Sequence, residues 1–276
     1  MNNKLNLNTK ITLNNDVQIP LLGLGTWKID DSKVEETILS ALNIGYRHID
    51  TAATYQNEIG IGKALVKSGV VREDVFITTK LWNSDHGYKK AIAACDKSLQ
   101  NLKLSYVDLY LIHWPVAGLF IETWSAMEEL LASGKCRAIG VSNFTISHLE
   151  ALMKESKNIP AVNQVEFSPY LYQKELLDFC KSKGIQMEAY SPLTRGNKLA
   201  NPKLAEIAVK YGKSAAQILI RWSLQTGLVV IPKASSQTHL QDNADVFDFE
   251  IDIEDMQALN SFNEDLHICW NPEKEA

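Results

Sequence analysis

Short apolar runs rich in β-branched and aromatic residues recur along the chain and alternate with longer stretches of helical periodicity. Such short runs, bounded by polar or turn-forming residues, are typical of buried strands. The predicted strands are PLLGLGTW, GYRHID, VFITTK, VDLYLIH, CRAIGVSN, AVNQVEF, IQMEAYSP and LVVIPK, and the helices between them include ILSALNIG, AIAACDKSLQNL, WSAMEELLAS and LLDFCKSK. Eight strands in regular alternation with helices favour an α/β fold closed as a (β/α)8 TIM barrel over an open sheet with a second domain.

The segment before the first strand, ITLNNDVQIP, predicts a β-hairpin, because Asn14, Asn15 and Asp16 suit a tight turn between two apolar arms. We expect this N-terminal hairpin to close the floor of the barrel. No proline-rich, serine-rich or low-complexity linker interrupts the chain. The sequence therefore predicts a single barrel domain over residues 1–276.

With 45% apolar and 22% charged residues, the chain can bury a large core and keep a soluble surface. Its net charge of −5 and isoelectric point near 5.7 predict no broad basic surface, which disfavours nucleic acid as a partner. No stretch approaches the ~18 apolar residues of a membrane span, and the start MNNKLNLNTK has no apolar leader. The four cysteines form no C-x-x-C pair, which indicates reduced thiols, and we expect a cytoplasmic protein.

Three successive predicted strands end on ionisable side chains: Asp50 ends YRHID, Lys80 ends VFITTK and His113 ends VDLYLIH. Tyr55 lies in the loop just beyond Asp50. Because barrel enzymes place their chemistry at the carboxyl ends of the strands, we expect these four side chains to share one mouth of the barrel. Taken singly, each could be a strand-end charge that faces water, but together they indicate a catalytic site.

A tyrosine with its ordinary pKa of ~10 holds its proton tightly, so Tyr55 needs a cationic neighbour to act as an acid near neutrality. An ammonium at Lys80 would lower the pKa of Tyr55, and a carboxylate at Asp50 would keep Lys80 charged and oriented. His113 could donate a hydrogen bond to a carbonyl oxygen beside the Tyr55 hydroxyl. The four residues therefore predict hydride transfer to a carbonyl group, coupled to protonation of its oxygen.

Two other enzyme classes compete with this interpretation. A strand-end lysine such as Lys80 can form a Schiff base, as in an aldolase, but that reaction needs a neutral amine, whereas Asp50 would keep Lys80 protonated. A metal enzyme is less favoured, because the six histidines show neither H-E-x-x-H nor close ligand pairs.

Motifs at the predicted strand ends and in the loops beyond them run in this order: GLGTW (23–27), DTAATYQNE (50–58), TKLW (79–82), LSYVDLYLIHWP (104–115), GVSNF (140–144), NQVEFSPY (163–170), YSPL (190–193) and IPK (231–233). In this order they resemble the aldo-keto reductase superfamily, in particular its prokaryotic-type branch of aldehyde and diketone reductases. The resemblance implies that Asp50, Tyr55, Lys80 and His113 form the family's catalytic tetrad, with Tyr55 as the proton donor.

The sequence has no convincing G-x-G-x-x-G signature of a dinucleotide-binding fold, and Gly60 and Gly62 in EIGIGKAL are interpreted as helix-packing glycines. The resemblance instead implies that NADPH lies extended across the top of the barrel, with Tyr190 stacked on the nicotinamide and Ser142, Asn143 and Gln164 on its amide. The cofactor residues that it implies are Thr26, Trp27, Asp50, Ser142, Asn143, Gln164, Tyr190, Ser191, Leu193, Lys233, Ala234, Ser235, His239, Asp242 and Asn243.

The segment expected at the adenosine end departs from the family pattern. NADPH-dependent relatives usually carry Lys-Ser and an arginine six residues after the lysine, whereas this chain has Lys233-Ala234 and His239. Histidine is mostly neutral near pH 7 and lacks the planar permanent charge of arginine. Since Lys233 and Ser235 could still hold the 2′-phosphate, we predict NADPH use with a weakened preference and some NADH activity.

Three tryptophans, Trp27, Trp82 and Trp114, lie at a predicted strand end or just beyond one, so we expect them to line a substrate cleft with Tyr55 and His113. The loop after Trp114 is short, which predicts a shallow pocket for small aldehydes, glyoxal-like dicarbonyls or sugar-derived ketones.

The placement of Trp270 in the C-terminal segment is left open, because terminal segments are often mobile. We expect a monomer or weak dimer. One non-enzymatic alternative is a subunit that binds NADPH and reports redox state to a partner, which the complete tetrad disfavours.

Overall fold

The computed structural model describes residues 5–272. Residues 1–4 and 273–276, the two ends of the predicted domain, lie outside the described part. The main sheet has eight parallel strands, β3 to β10, each paired with the next one along the chain. The strands are β1 (Lys10–Thr12), β2 (Gln18–Pro20), β3 (Leu24–Gly25), β4 (His48–Asp50), β5 (Phe76–Leu81), β6 (Val107–Ile112), β7 (Cys136–Ser142), β8 (Val162–Glu166), β9 (Gln186–Tyr190) and β10 (Val229–Val230).

Backbone contacts between the first and last strands close this sheet into a barrel. Leu22 forms a parallel bridge to Val230, and Gly25 forms one to Lys233. Gly23 N donates to the carbonyl oxygen of Val230 at 2.9 Å. The predicted eight-stranded barrel is therefore confirmed, with all eight predicted strands in place.

Helices pack around the barrel, in the segments that connect its strands and in the segment after β10. They are α1 (Asp31–Ile44), α2 (Glu58–Ser68), α3 (Tyr88–Leu102), α4 (Phe120–Ala132), α5 (Ile146–Glu155), α6 (Lys174–Ser182), α7 (Pro202–Tyr211), α8 (Ala215–Gln225), α9 (Gln237–Ala244) and α10 (Ile253–Asn260). Within the described residues, none of them is long and apolar enough to cross a membrane.

The connection between β9 and β10 contains two helices, where a simple alternation would have one. Asn201 caps α7 by accepting a hydrogen bond from Leu204 N, with Pro202 in the first helical position. Gly212, at φ +62°, ends that helix in the left-handed conformation. Ser214 and Gln217 then form a capping box that starts α8. Each helix thus carries its own start signal.

The N-terminal hairpin lies against the amino-terminal ends of the barrel strands. β1 and β2 pair antiparallel, and Asp16 takes a positive φ of 65° in the turn between them. The side-chain amide of Asn14 donates to Pro160 O at 3.1 Å, and that of Asn15 donates to Arg137 O at 2.9 Å. These acceptors lie at the starts of β8 and β7, so the hairpin covers the barrel floor as predicted.

Gly60 and Gly62 on α2 serve close helix packing. A Cβ added at Gly60 would lie 2.3 Å from Val34 Cγ1 on α1, and one at Gly62 would lie 2.6 Å from Leu102 O at the end of α3. No side chain larger than hydrogen fits at either position without displacing a neighbour. The interpretation of these glycines as packing residues agrees with these contacts.

Candidate active site

A buried ion pair lies at the carboxyl ends of β4 and β5. Lys80 Nζ donates to Asp50 Oδ1 at 2.6 Å and to Thr51 O at 2.8 Å. The Lys80 side chain is fully buried, and that of Asp50 is 3% exposed. The pairing of β4 with β5 therefore brings two of the predicted residues into direct contact, as the parallel strand ends require.

Tyr55 and His113 lie beside this pair. Tyr55 ends a 3-10 helix that spans Ala53–Tyr55, and its ring centroid is 5.2 Å from Lys80 Nζ. The rings of Tyr55 and His113 meet edge to face at 5.7 Å, and Trp82 meets His113 in the same way at 5.2 Å. The structure thus brings Asp50, Tyr55, Lys80 and His113 into one cluster.

The loop that carries Tyr55 is fixed by the buried side chain of Asn57. Its amide donates to Thr26 O at 3.0 Å and to Ile29 O at 3.1 Å, and its oxygen accepts from Thr51 Oγ1 at 2.7 Å. Thr26 Oγ1 in turn donates to Asp50 O at 2.9 Å. These bonds join the loops after β3 and β4, so the position of Tyr55 relative to Lys80 is set by both loops.

Lys80 is held in its charged form. Burial by itself lowers the pKa of Lys80, but its neighbours, first of all the Asp50 carboxylate, outweigh burial and raise the pKa above its ordinary value. A primary amine with a raised pKa stays an ammonium at neutral pH. The structure agrees with the expectation that Asp50 keeps Lys80 protonated.

The environment of Tyr55 has two opposing effects on its pKa. Burial raises the pKa, and the Lys80 ammonium lowers it, as expected from the sequence. Burial is the larger effect, so the net pKa of Tyr55 lies above its ordinary value. The expected lowering by Lys80 is present but does not set the net direction. Tyr55 therefore rests as a neutral phenol that still carries its proton.

His113 is neutral for a related reason. Burial and the nearby Lys80 charge hold the pKa of His113 well below its ordinary value. Its Nδ1 is buried and has no hydrogen-bond partner within the described residues. With Nδ1 enclosed, Nε2 is the ring nitrogen left to contact a ligand, and a neutral imidazole that carries its proton there is a hydrogen-bond donor.

A second carboxylate lies inside the barrel next to the ion pair. Gln164 Nε2 donates to Asp50 Oδ2 at 2.8 Å and to Glu188 Oε2 at 2.8 Å. Glu188 Oε1 lies 3.6 Å from His48 Nε2, and His48 Nε2 lies 3.1 Å from Thr78 Oγ1. The ion pair therefore continues into a polar network across β4, β5, β8 and β9.

Ser142, Asn143 and Tyr190 form a connected group at the ends of β7 and β9. Ser142 Oγ donates to Gln164 O at 2.8 Å, and the Asn143 amide donates to His113 O at 2.9 Å. The Tyr190 hydroxyl donates to Asn143 Oδ1 at 2.7 Å, which fixes its ring at the strand end. All the residues expected around a nicotinamide thus lie next to the four clustered residues.

The residues expected at the adenosine end lie after β10 and on α9. Lys233 Nζ donates to Ser235 Oγ at 3.0 Å, and both side chains are exposed. His239 and Asp242 are exposed, whereas Ala234 and Asn243 are buried. The N-cap of α9 is Ser236, whose hydroxyl accepts from His239 N at 3.2 Å. His239 therefore faces solvent in the first turn of α9.

Aromatic and C-terminal residues cover the mouth. Trp114 contacts Trp270 at 5.5 Å between ring centroids, and the Arg195 guanidinium lies 4.2 Å from the Trp27 ring centroid. Trp27, Trp82 and Trp114 are all half-buried, and Ser191 and Leu193 lie in the loop that leads to Arg195. The question of Trp270 is thereby answered, since it contacts one of the expected pocket residues.

The C-terminal segment is anchored by Glu166 at the end of β8. Glu166 Oε1 accepts from Ile268 N at 2.9 Å, and Oε2 accepts from Cys269 N at 3.0 Å. Arg195 donates to Cys269 Sγ at 2.7 Å. One buried carboxylate thus holds the chain that carries Trp270 across the barrel mouth.

Comparison with known proteins places this site in a family. The sequence model of the aldo/keto reductase family matches residues 21–264. The chain belongs to the aldo/keto reductase family. Membership confirms the resemblance carried by the motifs and the prediction of an oxidoreductase.

Relatives of this aldo/keto reductase cover nearly the whole chain. The glyoxal reductase of Bacillus subtilis is 49% identical over 97% of this chain and 98% of its own length. The 9,11-endoperoxide prostaglandin H2 reductase of Trypanosoma cruzi is 47% identical over 95% of this chain and 94% of its own. The crystal structure of Bombyx mori aldo-keto reductase in complex with NADP has a TM-score of 0.91, 36% identity and 97% coverage of both chains.

Several residues of this site were not predicted from the sequence. Glu188 and Glu166 each lie between two apolar residues of the sequence, which is a signal that could have found them. Arg195, in the 3-10 helix Thr194–Gly196, and Ser236, the N-cap of α9, have no such signal. Among the described residues, no group of three or more His, Cys, Asp or Glu side chains is placed to hold a metal ion.

Proposed function

We propose that this aldo/keto reductase reduces small aldehydes and ketones to alcohols with NADPH, and that Tyr55 donates the proton to the carbonyl oxygen. The observation that carries the proposal is the buried Lys80–Asp50 ion pair beside the Tyr55 ring. Buried ion pairs are costly to desolvate and contribute little to stability compared with apolar packing. Their occurrence at a barrel mouth favours a role in chemistry.

The residues present suit a nicotinamide dinucleotide. Tyr190 offers a half-buried ring whose orientation is fixed by Asn143, as stacking requires. Gln164 uses both amide hydrogens on buried carboxylates, which leaves its oxygen available to a ligand amide. Lys233 and Ser235 present a cation and a hydroxyl at the rim for a phosphate. The NADP complex of the Bombyx mori relative supports the same cofactor here.

In the proposed reaction, bound NADPH supplies the hydride that adds to the carbonyl carbon. His113 Nε2–H and the Tyr55 hydroxyl donate hydrogen bonds to the carbonyl oxygen, where negative charge develops. Tyr55 then transfers its proton to that oxygen, which completes the alcohol. Lys80 stabilises the phenolate that remains, and Asp50 keeps Lys80 charged.

The pocket walls favour small carbonyl substrates. Trp82 packs edge to face on His113, and Trp114, the next residue after His113, contacts Trp270. Aromatic walls with two convergent donors suit a compact dicarbonyl or aldehyde. The glyoxal reductase of Bacillus subtilis supports glyoxal-like dicarbonyls as the class to test first. Sugar-derived ketones form the second class of the test panel.

We also propose a cytoplasmic monomer or weak dimer that needs no nucleic acid. All four cysteines lie within the described residues and are free thiols, as expected in a reducing compartment. The aldolase alternative is disfavoured, because a Schiff base needs neutral Lys80 and the pKa of Lys80 is raised. Borohydride trapping of a substrate adduct on Lys80 would favour it instead.

The deciding experiment compares the wild type with Tyr55→Phe. Turnover is followed as loss of NADPH absorbance with glyoxal, methylglyoxal and simple aldehydes. We expect kcat to fall at least ~100-fold in the variant while its affinity for NADPH stays within about two-fold, because only the proton donor is lost. The matched control is Tyr106→Phe at the barrel floor, which keeps the ring stacked under Arg72. Unchanged turnover in Tyr55→Phe would refute Tyr55 as the acid.

A further inference from the structure

The amide of Gln164 bridges two buried carboxylates. Its nitrogen donates one hydrogen to Asp50 Oδ2 and the other to Glu188 Oε2, each at 2.8 Å. Gln164 lies opposite Glu188 in the pairing of β8 with β9, and the Glu188 side chain is fully buried. Glu188 lies next to the Lys80–Asp50 ion pair but has no part in the proposed chemistry.

Only one orientation of this amide satisfies the site. If the Gln164 oxygen faced this side, it would meet the Asp50 carboxylate with no hydrogen between them, and the amide hydrogens would lose both acceptors. Asp50 therefore selects the orientation with the nitrogen on this side, and Glu188 Oε2 accepts the second hydrogen. The oxygen then points away from Asp50 and Glu188, and no described residue donates to it.

We propose that Glu188 is a positioning residue that fixes the Gln164 oxygen as an acceptor for the carboxamide N–H of the nicotinamide cofactor. This inference rests on the proposed function, since it needs a nicotinamide dinucleotide at the mouth. Asp50 alone accepts only one of the two amide hydrogens, so Gln164 could rotate about its side chain without Glu188. With both bonds made, the side chain is held at two points on different strands.

The charge state of Glu188 is compatible with this role. Burial, then repulsion from Asp50, raises the pKa of Glu188 to about 8. The other groups that face it are Lys80 and His48, and burial lowers the pKa of His48 to about 3, so His48 is uncharged. At neutral pH Glu188 is therefore mostly a neutral acid whose Oε2 still accepts from Gln164, and a glutamine can replace it.

The test uses two cofactors that differ only at the carboxamide. NADPH carries the amide N–H donors, and its 3-acetylpyridine analogue carries a methyl group in their place. Equilibrium affinities are measured by quenching of tryptophan fluorescence, without substrate, for wild type, Glu188→Gln and Glu188→Met. Glutamine keeps an oxygen for Gln164, whereas methionine keeps the volume and removes the acceptor.

We expect the wild type to bind NADPH about ten-fold more tightly than the analogue, because the analogue leaves the Gln164 oxygen unpaired. Glu188→Gln should keep this ratio, and Glu188→Met should reduce it to within about two-fold through weaker NADPH binding. A general loss of structure would weaken both cofactors alike and leave the ratio unchanged. Glu188→Thr, whose hydroxyl is too short to reach Gln164, is the second variant if the methionine variant does not fold.

Three outcomes overturn the proposal. If the wild type binds NADPH and the analogue with nearly equal affinity, the Gln164 oxygen does not accept from the carboxamide, whatever the variants do. A wild-type ratio retained in a folded Glu188→Met or Glu188→Thr shows that Glu188 does not position it. If the wild type does not bind NADPH at all, the proposed function is overturned as well. The first two outcomes overturn only the inference about Glu188 and Gln164.

Discussion

Lys80 and Asp50 form an ion pair of 2.6 Å in which both side chains are buried, and the Lys80 ammonium donates to Asp50 Oδ1 and to Thr51 O. Asp50 in turn receives one hydrogen from Lys80 and one from Gln164. Removal of either charge leaves the other buried without compensation. The same pair that supports the chemistry is thus coupled to the stability of the barrel.

Lys80→Met should destabilise the protein by ~3–5 kcal/mol, because it leaves the Asp50 carboxylate buried and unpaired. The double variant Lys80→Met/Asp50→Asn removes that charge as well and should regain at least about half of the loss, while remaining inactive. Free energies of unfolding from urea titrations measure both effects. A loss below about 1 kcal/mol in the single variant would mean that solvent reaches Asp50.

The clustering of Asp50, Lys80 and His113 could be predicted from the sequence because parallel strand ends meet at one edge of a barrel. Only the strand assignments and their order were needed for this, and the apolar runs gave both. The helix count after β9 was not predicted, although Asn201-Pro202 and Ser214-x-x-Gln217 are start signals in the sequence.

Other properties depend on distances that no sequence pattern contains. The contact of Gln164 with Asp50 joins residues from β8 and β4, which lie on different sides of the barrel. The net pKa direction of Tyr55 depends on how far burial outweighs the Lys80 charge. The anchoring of the C-terminal segment by Glu166 joins residues more than a hundred positions apart.

Glu188 should make the stability of the protein depend on pH. Its pKa is about 8 in the folded chain against an ordinary value of 4.5, so the folded state binds more protons between these values. Stability from this group is therefore complete below pH ~4.5 and is lost as pH rises towards ~8. Glu188→Gln removes this loss.

Urea unfolding at about pH 5.5 and about pH 8.5 checks the prediction, and the wild type should lose ~1–3 kcal/mol more between them than Glu188→Gln. Glu175→Gln, an exposed glutamate on α6, is the matched control and should follow the wild type. Parallel curves for wild type and Glu188→Gln would show that Glu188 is already ionised in the folded protein at the lower pH.

Cofactor preference should respond to His239. This side chain is exposed in the first turn of α9, beyond Lys233 and Ser235, and it supplies no permanent charge for a 2′-phosphate. We expect the wild type to prefer NADPH over NADH by less than about a thousand-fold in kcat/KM, and His239→Arg to raise that ratio about ten-fold. His239→Gln serves as the uncharged control. If the ratio of kcat/KM with NADPH to kcat/KM with NADH is equal in all three proteins, the 2′-phosphate does not bind near position 239.

The C-terminal segment should depend on the Glu166 carboxylate. Hydrogen bonds to a charged acceptor contribute ~1.5–3 kcal/mol each, and Glu166 accepts two from successive backbone N–H groups, of Ile268 and Cys269. Glu166→Ala should therefore raise the amide hydrogen-exchange rate of these two residues at least ~10-fold. It should also raise the KM for small aldehydes, because Trp270 loses its contact with Trp114.

Glu264→Gln is the matched control, because Glu264 pairs with Lys198 just before this segment but accepts from neither amide. It should leave exchange at Ile268 and Cys269 within about two-fold of the wild type. If both variants accelerate exchange equally, the loss of negative charge explains the effect, and the two hydrogen bonds to Glu166 are not what anchors the segment. If only Glu166→Ala does so and KM stays constant, the segment is anchored as described but Trp270 does not form part of the substrate pocket.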